Sequence, residues 1–394
     1  MRDDICLVLA SLTCFYWALS HLVLLARALL PRFGAVVRYG RRSVVATTAT
    51  DRVASSKQPL GGGDVGSGGN LWVGTTCRWF VRRLIVPLES CFLCRVKVSR
   101  KNSFCAFYVT GVVVTVFILE GANGFQCVHN EAAEGACPPR VSSFTSRNTR
   151  PLVAFLVHCI IRLLECLFLH RFSGGQSDYV TCFAAVAGCT FYVFASYSSG
   201  AVVLCGSQFK QGPDEYNGPD VALRPFAVTC AVDVLFFVHI ALQVTQVYHH
   251  QILAMLRKGH ASCRDSHKGR VRGTVTLYRF PRAGLFRFVQ EPHYTCEIAM
   301  YAINLVSVWL LTCPEGSLFP SLMGTSSEID GSSSMAQRLL QMGCLAALGV
   351  LSFSLINLGI TACEHRRFWK RVNEERDKRD QEPVPKWNLI YGVW

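Results

Sequence analysis

Residues 152–170, LVAFLVHCIIRLLECLFLH, decide the fold class. A helix needs roughly 20 predominantly apolar residues to cross a ~30 Å hydrocarbon core, and this stretch reaches that length. Inside it lie His158, Arg162 and Glu165, with His170 at its end. Ionisable side chains within a membrane span are costly. The first three fall at i, i+4 and i+7, on one helical face. That face must look at a polar cavity or at partners, not at lipid. Two readings follow: an Arg162–Glu165 ion pair that locks helices together, or one wall of a buried pocket.

Working outward, six further apolar stretches bring the spans to seven: about 5–30, 104–120, 151–170, 179–205, 225–248, 298–313 and 336–362. Composition agrees, since 17% charged residues falls well below the ~25% of a soluble domain. The fold class expected is an all-α integral membrane protein. The net charge of +14 sits in particular loops, which points to topology and anionic headgroups and away from nucleic acid. The loop at 31–103 carries thirteen Lys/Arg against three acidic residues, and 249–297 nine against three. The tail from 363 has eight against six. By contrast, 206–224 holds two basic and three acidic residues, and 314–335 acidic residues only. Seven alternating spans then satisfy the positive-inside rule with a lumenal N-terminus and a cytosolic C-terminus.

The first span opens with Asp3 and Asp4 and is followed by Arg27, Arg32, Arg38, Arg41 and Arg42, the reverse of a cleavable signal. Residues 1–30 therefore read as a retained anchor. Within the basic 31–103 loop, residues 40–70 are a Gly/Ser-rich linker. Trp72, Arg78, Trp79, Phe80, Arg82 and Arg83 beyond it read as an amphipathic segment on the membrane surface. Most of the nineteen cysteines lie in apolar runs, where cysteine acts as a small hydrophobe. Cys91 and Cys94 form a lone CxxC, and Cys127 and Cys137 can pair only in an oxidising lumen.

A second polar set ends the fifth span: Asp233, His239, Gln243, Gln246, His249 and His250, then Arg257 and Lys258. Gln243, Gln246 and His250 again share a face. The histidines lack zinc-type spacing along the chain, so no metal is expected. The following loop reads Tyr278-Arg279-Phe280-Pro281-Arg282-Ala283-Gly284-Leu285-Phe286, then Glu291-Pro292-His293-Tyr294 and Glu297. Arginines beside a membrane suit lipid phosphates or a dinucleotide's pyrophosphate and 2′-phosphate, because their fork binds phosphate bidentately. No Rossmann glycine motif is present, so a nucleotide site would be built from helices and loops.

In order and spacing, Gln246 through Arg257-Lys258, Tyr278-Arg279-Phe280-Pro281, Gly284-Leu285-Phe286 and Pro292-His293-Tyr294-x-x-Glu297 resemble the C-terminal signature of the steroid 5α-reductase family. His365-Arg366-Arg367-Phe368-Trp369 resembles the start of that family's last cytosolic segment. His158-x-x-x-Arg162-Leu163-Leu164-Glu165-Cys166 resembles the polyprenol-reductase, dolichol-forming branch. The resemblance covers roughly 98–394, with a reductase domain over 104–394. It implies NADPH held by Arg162, Gln246, His250, Arg257, Arg279, His293 and Trp369, with Glu297 and His365 as support. It also implies an endoplasmic reticulum membrane, a polyisoprenoid lipid substrate, and a product that serves as lipid carrier for protein N-glycosylation. Cys159 stands where steroid-reducing members have tyrosine, which argues against a steroid. Asparagine is common in the family at the positions of Gln246 and His293, and aspartate at that of His250.

Hydride addition to an alkene needs an electron sink, which an unsaturated aldehyde has and an allylic alcohol lacks. Chemistry therefore favours polyprenal over polyprenol, with Glu165, or else His158, donating a proton to the carbonyl oxygen. The rival readings are a sterol reductase or an isoprenylcysteine methyltransferase-like enzyme, and a transporter or scaffold. A transporter predicts polar residues near the midplane of paired, interrupted helices.

Overall fold

The computed structural model describes residues 2–29, 92–134, 147–170, 172, 178–205, 219–265, 280–312, 331–374 and 384–389. The Gly/Ser linker, the amphipathic segment at 72–83, Cys91, Cys137 and Arg279 lie outside these residues, as do the side chains of Cys127 and Arg257. Seven long helices occur among them: α1 Arg2–Leu29, α2 Arg100–Glu134, α3 Arg150–Leu164, α4 Cys182–Cys205, α5 Pro219–Asp265, α6 Pro292–Thr312 and α7 Gly331–Glu374. Each contains a segment long and apolar enough to cross a membrane. The chain is thus all-α in its membrane part, with the expected number of spans.

Four helices differ from expectation at their polar ends, α2 among them, since it starts at Arg100 and runs on to Glu134. α5 runs to Asp265, α6 starts at Pro292 and α7 reaches Glu374. Hydropathy marks only the apolar part of a helix, whereas these ends are helical and polar. Pro292 suits the first helical position, where its missing N–H costs nothing, and the Glu291 carbonyl accepts from Tyr294 and Thr295 N–H at 3.0 and 3.2 Å.

Two compact units make up the chain. The smaller comprises Ala26–Ser103 and Phe172–Ala187. In it, β1 (Lys97–Ser99) and β2 (Tyr179–Thr181) pair antiparallel, Val98 opposite Val180. Thr181 Oγ1 accepts the Ala184 N–H at 3.2 Å, covering an orphan donor at the start of α4.

The larger unit, Met1–Leu25, Phe104–Arg171 and Gly188–Trp394, holds the polar residues. Its packing relies on small residues, which let helices approach where lipid gives no hydrophobic drive between them. Ala195, Ser196, Ser198, Ser199 and Ala201 of α4 are all buried. Ser196 accepts from Thr115 at 3.1 Å and Ser199 from Asn304 at 2.7 Å, tying α4 to α2 and α6. A Cβ on Gly349 would come within 2.4 Å of the Trp17 ring, and one on Gly188 within 2.3 Å of Phe107. Phe15, Phe117, Phe168 and Phe237 are exposed, as lipid-facing residues should be.

Contacts between α3 and α5 define their relative direction. Arg150 pairs with Asp233, His158 with Gln243, and Arg162 with His250. Residue numbers rise together along both helices, so the two run parallel. Two spans separated by one complete return crossing must do so. The ends of α3 and α5 that carry Arg162 and His250 lie beside the start of α6, where Gln246 meets His293 and Glu297. The C-terminal part of α7 joins them through His365 and Glu291.

Candidate functional site

The site grows from α3. Beyond Leu164 the helix widens into a π-turn over Glu165–Leu169, closed by His170 N–H donating to the Glu165 carbonyl at 2.7 Å. Such turns concentrate at functional sites, because an extra residue per turn has to be stabilised by its surroundings. Arg162 donates to Glu165 Oε2, and both side chains are buried. The expected ion pair therefore exists, but within one helix. The lock between helices is His250 of α5, whose Nδ1 lies 2.9 Å from both Glu165 Oε1 and Arg162 Nη1.

That nitrogen cannot serve both neighbours in one protonation state. With a proton, it donates to Glu165 and has no lone pair for Arg162. Without one, it accepts from Arg162, and a hydrogen bond to Glu165 needs the carboxyl to bring the proton. Glu165 Oε1 and His250 Nδ1 thus share a single proton position. The cation of Arg162 is further placed over the Tyr108 ring, 5.4 Å from its centroid.

A second strand of polar contacts runs beside the first. His158 Nδ1 lies 2.8 Å from Gln243 Oε1, and Gln243 Nε2 donates to Gln246 Oε1 at 3.3 Å. Gln246 Nε2 reaches the His293 carbonyl at 3.1 Å and Glu297 Oε2 at 3.2 Å. The His250 and His293 rings stand 5.0 Å apart, connecting the strands. Gln243 and Gln246 are wholly buried, a position polar amides hold only when hydrogen-bonded.

Glu291 bridges two histidines, with Oε1 at 2.9 Å from His365 Nδ1 and Oε2 at 3.6 Å from His293 Nε2. Burial alone would raise its carboxyl, but His365 and His293 outweigh this and hold it below the ordinary value of 4.5. A depressed folded-state value means stability that is present above 4.5 and lost as pH falls through the folded value. Glu291→Gln is therefore expected to lower thermal stability at neutral pH, with the gap from wild type closing in acid. A gap unchanged by acid would remove the charge from the explanation.

Of the residues expected from sequence, Arg162, Glu165, His250, His293, Gln246 and Glu297 form one network, with His158 joined through Gln243 and His365 through Glu291. Trp369 stands apart, edge-on to Phe280 at 5.3 Å in an aromatic group that reaches His293 through Phe286. His249 has a structural role, since its Nδ1 meets the Thr245 carbonyl and its Nε2 accepts the Leu285 N–H at 3.2 Å. This pins the 3-10 turn Gly284–Arg287, where Gly284 has φ +60° and a Cβ would press on Tyr248 at 2.9 Å. Asp233 is taken up by Arg150 at 3.1 Å.

Sequence reading missed a buried tyrosine group. Tyr108 and Tyr192 meet edge-to-face at 5.1 Å, and Tyr301 lies 6.0 Å from the His158 ring. Tyr301 follows Glu297 by four residues, on the same face of α6, a signal that was available. Buried polar atoms with no hydrogen-bond partner among the described residues include His158 Nε2 and Arg162 Nε on α3 and His293 Nδ1 and Tyr301 Oη on α6. Leaving such groups unpaired costs about 1–3 kcal/mol each. Arg162 Nε and Tyr301 Oη are donors, whereas His158 Nε2 and His293 Nδ1 are acceptors while the other nitrogen of each ring carries its proton toward Gln243 and Glu291. A mixed set of this kind is chemically compatible with the amide and hydroxyl groups of a nicotinamide dinucleotide. Set against protein-family models and against curated proteins, the chain matches none.

Proposed function

We propose that the chain is an NADPH-dependent membrane reductase that saturates the α-isoprene double bond of a polyprenal or polyprenol in dolichol formation, in the endoplasmic reticulum membrane. The observation that carries this reading is the polar network joining α3, α5 and α6 at the end where the basic 249–297 loop emerges. A phosphorylated cofactor arriving from the side of the basic loop meets that end first. An isoprenoid reaches it through the lipid. The transporter reading is less favoured, because the polar network does not stop in the middle of the spans but runs on through Gln246 and His250 to the start of α6 and Glu291.

In this reading Arg162, Gln246, His250 and His293 hold the cofactor, Glu297 fixes Gln246, and Glu291 with His365 fixes His293. Arg257 and Arg279 supply charge for phosphate, and Trp369 flanks the entrance beside Phe280. The bound cofactor supplies hydride. Glu165 holds the proton it shares with His250 Nδ1 and passes it toward the substrate oxygen. His158, whose Nδ1–H is taken up by Gln243 Oε1, is a second donor only when its Nε2 is protonated as well. Cys159, wholly buried beside Gly111, offers no phenol at the position steroid-reducing relatives of such a site would use.

The deciding test incubates purified protein with NADPH and either polyprenal or polyprenol, then weighs the lipid. A gain of two hydrogens at the α-isoprene double bond, with the aldehyde or alcohol retained, supports the proposal, and no α-saturated product from either lipid sinks it. NADPH is expected over NADH, and Arg279→Ala should raise the KM for NADPH at least tenfold, the scale of losing a charge-assisted contact to phosphate. Equal use of the two cofactors by wild type would count against the role of these arginines.

A further inference from the structure

The π-turn has a chemical consequence of its own. In an α-helix, side chains five residues apart point to different faces, whereas a π-turn brings positions i and i+5 onto nearly one face. It therefore sets His170 over Glu165, with the Cys166 sulfur 3.6 Å from His170 Nδ1. His250 reaches the same point from α5, its ring 5.2 Å from that of His170 and its Nδ1 2.9 Å from Glu165 Oε1. One ligand atom from each of Glu165, His170 and His250 lies within 4.8 Å of the others. In a tetrahedral zinc site, bonds of about 2.0–2.3 Å put neighbouring ligand atoms roughly 3.3–3.7 Å apart. Small side-chain rotations close the difference for these three, whereas the Cys166 sulfur, near His170 but outside that cluster, has to swing further to join them.

We propose that Glu165, Cys166, His170 and His250 form a binding site for a divalent transition metal of zinc's class, in competition with Arg162. Nitrogen, sulfur and carboxylate ligands select zinc-like ions over calcium and magnesium, which require oxygen. Charge decides the ligand set. Two neutral imidazoles, the Glu165 carboxylate and a Cys166 thiolate balance a dication, so the ligand set itself is neutral and the displaced Arg162 guanidinium keeps its own charge beside it. Binding releases the Cys166 thiol proton to solvent and, when Glu165 holds the proton it shares with His250, that proton as well. Arg162 Nη1 now sits against Glu165 and His250, where a metal would stand. Entry of the metal displaces the guanidinium from both while the Tyr108 ring remains beside it. The spacing test along the sequence could not reach such a site, because its ligands come from two helices.

The site shares Glu165, His250 and Arg162 with the proposed reductase site, but it does not rest on that reading, and its test uses no NADPH or lipid. Chelator-treated, purified full-length protein is titrated with Co²⁺. The expected result is one equivalent bound, with a strong visible d–d absorption of tetrahedral cobalt and a near-ultraviolet sulfur-to-cobalt charge-transfer band, both abolished by Zn²⁺. His170→Ala should weaken binding by at least about tenfold, the usual cost of losing a ligand-level contact. Cys166→Ser should keep the d–d band and lose the charge-transfer band. Thermal melting of each variant without metal checks that it is folded. A wild type without the tetrahedral band, or a folded His170→Ala that binds Co²⁺ as tightly as wild type, overturns the site. A charge-transfer band that persists in Cys166→Ser overturns the four-ligand assignment.

Discussion

Glu165→Gln should lower turnover about a hundredfold while NADPH still binds, the usual scale for losing a positioned acid. The substitution preserves size and keeps an oxygen for Arg162. What it removes is the one proton position that Glu165 Oε1 shares with His250 Nδ1. With glutamine there, His250 can still accept from Arg162, but no carboxyl remains to carry a proton toward substrate. Single-turnover kinetics beside an NADPH-binding measurement separate the two effects. Normal turnover in a folded Glu165→Gln protein would shift attention to His158, whose Nε2 is buried and unpartnered among the described residues.

Arg162→Met is the second large effect, and it is one of stability. Methionine replaces much of the aliphatic stem but leaves the buried Glu165 carboxylate without its cation. Breaking a buried pair in this way costs about 3–5 kcal/mol, because a lone charge is left behind. Unfolding in detergent should register that loss. Adding Glu165→Gln removes the stranded charge, so the double variant should recover most of the stability. If the two losses simply add, the residues are not coupled, and the pair is not what holds this end of α3.

Much of this arrangement could be read from sequence. The seven spans followed from apolar length, and the polar faces at 158, 162, 165 and at 243, 246, 250 followed from helical spacing. What escaped was everything decided between helices. No periodicity says that His250 stands opposite Arg162 when 88 residues separate them. The π-turn escaped for a similar reason. No local propensity favours the extra residue, and the contact of Glu165 with His250, which holds the turn from α5, is tertiary. The polar starts and ends of α2, α5, α6 and α7 were missed because hydropathy marks where a helix meets lipid, not where it stops. Tyr301 was legible and passed over, since a tyrosine in an apolar run looks like ordinary core.

The beginning of α6 carries a consequence for the timing of assembly. Gln290 and Glu291 donate their N–H groups to the Trp387 and Asn388 carbonyls at 2.9 and 3.0 Å, and the Thr295 hydroxyl donates to the Leu389 carbonyl. Thr295 and Leu389 are 94 residues apart. At a synthesis rate of about 5–20 residues per second, the ribosome needs roughly 5–20 s to cover that distance. During that interval the rest of α6 and then α7 are made, while the donors ahead of α6 lack the 387–389 carbonyls they finally bind. Glu291 and His293 therefore take their final places only after the 384–389 segment has emerged. A ribosome stalled anywhere after α7 but before residue 389 would hold a chain with every span made and its polar centre unfinished.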